Sequence, residues 1–114
     1  MSTLISSMQV LEHVCQILEM EQNMASFLQT YWIYSVRRLT TTTIDCLEEL
    51  SAIENSPLST TDIDQINLLQ TWYANVVKKI GRVTNDVLVQ ELTKNTWDVF
   101  CNEYLVYLVN QQRQ

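Results

Sequence analysis

Residues 27 to 39 read FLQTYWIYSVRRL, and no charged side chain occurs between Glu21 and Arg37. Wound at roughly 100° per residue, Tyr34, Phe27, Tyr31, Leu28, Trp32 and Val36 cover about 200° of a helix, whereas an ordinary surface helix carries an apolar stripe nearer 100° wide. The stretch is aromatic and β-branched enough to suggest a strand, but the chain offers no second strand to pair with it. One Gly and one Pro in 114 residues leave almost none of the turn chemistry that sheets require. The stretch therefore reads as helix.

Upstream, Leu4, Met8, Leu11, Cys15, Leu18, Ala25, Trp32, Val36 and Leu39 recur with an alternating 4-3 spacing, with Gln22 and Gln29 on the same seam. That spacing predicts a first helix over about 4–39, roughly 50 Å long. The four threonines at 40–43 end it, and Thr42, three residues before Asp45, caps a short second helix over about 43–54 that Pro57 forbids from continuing. Ser59 and Asp62 repeat the cap pattern and open a third helix, 60–81, with Ile63, Ile66, Leu69, Tyr73, Val76 and Ile80 on one face. Gly81 is its natural C-terminal stop, and Thr84 or Asn85 starts a fourth helix over 85–110. The end of that helix, WDVFCNEYLVYLV at 97–109, again wraps apolar residues over about 200°. A polar tail, 110–114, follows. The expected fold is all-α, a compact up-down bundle of four helices forming one domain over 1–114, with FLQTYWIYSVRRL inside the core.

Composition narrows the function. Thirteen acids against seven bases give a net charge of −6, which disfavours general affinity for nucleic acid or anionic lipid. Three tryptophans and five tyrosines lack the basic groove that base-stacking platforms use, so core or interface use is expected for them. Phosphate-binding glycine loops need at least two glycines and only Gly81 exists. His13 and Cys15, two residues apart, point away from each other on a helix, so no metal site is expected. His13 is the sole histidine and sits beside Glu12 with no paired nucleophile in sequence. No cofactor and no catalytic residue is expected. Cys15, Cys46 and Cys101 are odd in number, lie in apolar surroundings and form no CxxC pair, so they read as buried free thiols in a reducing compartment, cytoplasm or nucleus. The N-terminus lacks a signal-peptide pattern, and no stretch reaches the 18 or so apolar residues that span a bilayer.

Two surfaces remain. The wide apolar arcs predict a non-enzymatic protein–protein interaction subunit, a scaffold, adaptor or regulator acting as a homodimer or in a hetero-complex. Its expected interface is the pole where the first half of helix one, with Leu4, Met8, Leu11, Cys15 and Leu18, meets the end of helix four, with Trp97, Phe100, Cys101, Tyr104, Tyr107 and Leu108. The alternative is an anion or phosphopeptide site. Arg37, Arg38, Lys78, Lys79 and Arg82 close helices one and three, which run parallel in an up-down bundle, so their basic ends are expected to share one pole.

Overall fold

The structure, a computed structural model, describes residues 6–112. Among these residues all regular structure is helical, amounting to 74%, in line with the expected class. Seven helices rather than four occur among them: α1 (Ser7–Ile17), α2 (Met24–Thr30), α3 (Val36–Thr41), α4 (Ile44–Ser51), α5 (Thr60–Ile80), α6 (Asn85–Glu91) and α7 (Lys94–Gln112).

The expected helix over 4–39 is α1, α2 and α3. A reciprocal capping box starts α1, with Ser6 Oγ accepting from the Gln9 backbone N–H at 3.1 Å and Gln9 Oε1 accepting from that of Ser6 at 2.9 Å. At its end the N–H of Met20 donates to the Cys15 carbonyl (2.9 Å) and that of Glu19 to Gln16 (3.1 Å). The same pair of bonds closes α2, from Ile33 to Leu28 and from Trp32 to Gln29, both at 3.0 Å. These are two Schellman motifs, which need a left-handed residue just past the helix. Glu19 (φ 58°) and Trp32 (φ 70°) supply it in place of the usual glycine. Ser35 then caps α3 by accepting from the Arg38 N–H.

Burial explains the folding back. Val10, Leu11, Val14, Cys15, Ile17 and Leu18 are all buried, so α1 is enclosed on more than a single seam. A straight 50 Å rod leaves the outer part of that arc in water, whereas three short segments wrap it. Ile33, just past the second break, inserts into the core together with Leu28, Val36 and Leu39.

The remaining helices follow their caps more closely. Thr43 rather than Thr42 caps α4. The Ser59–Asp62 capping box opens α5, and Gly81, at φ 82°, stops it. Gln70 of α5 donates through Nε2 to the Thr42 carbonyl at 2.7 Å, tying α5 to the turn between α3 and α4. Thr84 caps α6. The expected fourth helix breaks at Leu92 and Thr93, where the Thr93 N–H donates to Thr96 Oγ1 (2.8 Å) and the Thr96 N–H donates to Thr93 Oγ1 (3.2 Å). The break lets Leu92 drop into the core. His13 Nε2 lies 3.1 Å from the Leu92 carbonyl and donates to it. α5 packs against α3 and α4, while α1 packs against α2, α3 and α6. The result is a slab of 48 × 41 × 21 Å, about two helix diameters thick.

Candidate functional site

Helix α7 is anchored to the core only by its first turns. Trp97, in its first turn, is buried, and Phe100 and Cys101 pack partly against the core. From Trp97 an aromatic ladder runs outward at i, i+3 and i+4 spacing. Trp97 to Phe100, Phe100 to Tyr104 and Tyr104 to Tyr107 have ring centroids 5.6, 6.1 and 6.3 Å apart. Gln111 Nε2 donates to the Tyr107 hydroxyl at 2.7 Å and extends the line by one turn.

Beyond the ladder's root the helix is bare. Leu105, Val106, Tyr107, Leu108 and Val109 are 37–59% exposed, and Val99 is exposed as well. Six consecutive apolar residues, Tyr104 to Val109, point around about 260° of the helix. A helix apolar all round belongs in a core or against another surface.

The expected interface is thereby redrawn. Leu11, Cys15, Leu18 and Trp97 are buried in this chain's own core, and Met8, Phe100 and Cys101 are half-buried against it, so they offer little to a partner. The reason is the bend after α1, which turns a presumed exposed rod into a wrapped one. Leu4 lies outside the described residues. Tyr104, half-buried, and the exposed Tyr107 and Leu108 stay on the surface. Val99, Leu105, Val106 and Val109 join them. The uninterrupted run LVYLV carried that signal, because no polar position interrupts it.

FLQTYWIYSVRRL divides as well. Leu28, Ile33, Val36 and Leu39 are core and Phe27 and Tyr31 are half-buried, but Trp32 is 70% exposed and Tyr34 exposed beside it. Their rings meet edge to face at 6.1 Å. Arg38 Nε donates to the Trp32 carbonyl at 3.2 Å and braces the turn.

Of the five grouped bases, the structure brings two together. Arg37, now the second residue of α3, and Arg82, just past α5, line one cleft of about 650 Å³. Arg38 is engaged with Trp32. Lys79 lines a separate groove beside Ile80, Glu91 and Phe100. Lys78 is exposed and lines neither. The only ion pairs among the described residues belong to Lys94, which reaches Glu19 at 3.2 Å and Asp98 at 3.3 Å. Those two hydrogen bonds raise its pKa.

The thiols differ in setting. Cys15 is pushed up to about 12, by burial first and then by Asp62 and Glu12. Cys101 is raised too, chiefly by burial. Cys46 is exposed on α4 rather than buried as expected, because it falls on the outer face of that helix. All three are free. His13, spent on the Leu92 carbonyl, has a structural part to play. Among the described residues no cluster of three or more His, Cys, Asp or Glu could hold a metal ion, and no helix is long and apolar enough to cross a membrane. No known protein family, curated protein or solved structure matches this chain.

Proposed function

We propose that this chain is a non-enzymatic interaction subunit, a scaffold, adaptor or regulator, that self-associates through the outer half of α7. One observation carries the reading: five consecutive apolar residues, Leu105 to Val109, stand in solvent with no polar residue among them. Between Glu103 and Gln112 the sequence holds no charge, so two copies of an acidic chain can bring these segments together without like-charge repulsion. Pairing α7 with α7 about a two-fold axis presents the same patch on both partners and buries on the order of 1,000 Å², the lower bound for a specific interface. Tyr104 and Tyr107 supply aromatic anchors of the type that dominate interface energetics. Three free thiols favour a reducing compartment, cytoplasm or nucleus, for this subunit.

Sedimentation equilibrium tests the proposal. The wild-type chain is expected at twice its monomer mass at tens of micromolar. Leu105→Glu and Tyr107→Glu, both exposed and both in a helix that tolerates Glu, should give monomers of unchanged helicity, since a charge is costly only where the interface excludes water. A wild-type monomer at that concentration refutes self-association.

A further inference from the structure

We propose that the cleft holding Arg37 and Arg82 binds a small phosphate monoester. Three observations converge on it. First, both guanidinium groups lack a carboxylate partner among the described residues, and in a chain of net charge −6 no carboxylate lines this cleft. Asp86, the acid nearest in sequence to Thr84, sits in the first turn of α6 and does not line it. Second, hydroxyl donors ring the space. Ser35 Oγ accepts from the Arg38 N–H and Thr84 Oγ1 from the Val87 N–H, so each keeps its own O–H for a further acceptor. Tyr73 lines the same cleft. Third, the backbone N–H groups of Arg82 and Val83 donate to no acceptor among the described residues. They lie in the turn where Gly81 adopts φ 82°, and a Cβ there would meet nothing within 4 Å.

Two arginines, whose guanidinium forks match phosphate oxygens, and two residues with unpaired backbone N–H groups line one cleft, a donor-rich lining suited to a dianion with three equivalent oxygens. Val77, Val83 and Leu88 provide apolar walls for a carbon body, in a space the size of an ordinary small-ligand pocket. α7 contributes nothing to the lining, so the proposal is independent of self-association.

Titration calorimetry of the full chain at constant ionic strength, with phenyl phosphate, inorganic phosphate and a phosphoserine peptide as probes, decides it. Phenyl phosphate should bind saturably and several-fold tighter than inorganic phosphate. Arg37→Ala and Arg82→Ala should each weaken it by roughly ten-fold or more, while Lys78→Ala and Tyr107→Glu leave it unchanged. In the wild-type chain the amide resonances of Arg82 and Val83 should move with saturation, a readout that needs no variant to fold. Absence of saturable binding, unmoved amides, or full affinity in the double arginine variant overturns the site. Equal affinity for inorganic phosphate overturns the monoester, and tighter binding of the peptide overturns the small-molecule assignment.

Discussion

Glycine and alanine at position 19 should change places in the usual order of stability. In a helix interior, Ala is more stable than Gly by about 1 kcal/mol. At Glu19 the backbone is left-handed, φ 58°, and there a Cβ costs about 1–2 kcal/mol that glycine avoids. Both substitutions remove the same carboxylate, whose 3.2 Å pair with Lys94 is mostly in water and contributes at most about 0.5 kcal/mol. Subtracting one variant from the other cancels that loss. Glu19→Gly should therefore exceed Glu19→Ala by about 1 kcal/mol, near 4 °C in melting temperature for a chain this size. A continuous helix over 4–39 requires the opposite sign, so the two architectures differ by about 2 kcal/mol on one pair of variants. Trp32, at φ 70° and largely exposed, should show the same inversion. Urea unfolding followed by circular dichroism reads both pairs. Alanine more stable than glycine at both positions would refute the two Schellman breaks.

Leu11, fully buried in α1, should behave as core rather than interface, Leu11→Ala costing about 2–5 kcal/mol in chemical denaturation with no change in association beyond that of the unfolded fraction. A thiol reagent should modify exposed Cys46 fast, half-buried Cys101 slowly and buried Cys15 only on unfolding. Folding raises the Cys15 pKa from 9.0 to about 12, so its contribution is complete below pH 9 and is lost as pH rises toward the folded value. Across that window Cys15→Ala should show a stability–pH slope shallower by about 1.4 kcal/mol per unit.

What the sequence made legible follows from which residues do the signalling. Gly81, the Ser59–Asp62 box and Thr84 are residue types whose geometry is nearly dedicated to helix ends, and α5 and the start of α6 lie where these residues put them. Glu19 and Trp32 have no such association, so two helix ends passed as helix interior. Gln22 and Gln29 on an otherwise apolar seam were the remaining trace of them. The Thr93–Thr96 box lacks the acidic or amide third residue that marks the usual form, and the break before α7 was hidden for that reason. The site residues inherit the same error. Treating helix one as a rod exposes Leu11, Cys15 and Leu18 at one pole; bending it after Ile17 encloses them. Tyr107 and Leu108 are exposed where the sequence offers no polar residue between Tyr104 and Val109 to face water, so their exposure depends on local sequence alone.

That local run also constrains how α7 behaves when alone. Most helical stability in a folded chain comes from tertiary packing rather than propensity, and two of the five residues from Leu105 to Val109 are β-branched, which lowers helix propensity. The helicity of α7 is therefore propagated from the buried Trp97 anchor through the ring contacts of Phe100, Tyr104 and Tyr107, of which Phe100–Tyr104 is stacked and the others tilted, each pair contributing about 0.5–1.5 kcal/mol beyond its buried area. The ladder occupies one face only. Valine and leucine on the other face gain nothing from it and lose hydration only when another surface covers them. Under the proposed self-association, order in this segment and association are two readings of one free energy: the ladder holds the helix ready, and burial of the opposite face makes it stable. A partner that meets a helix already formed does not have to supply the entropy of ordering it, which is how a short apolar segment can sustain a specific contact of modest area.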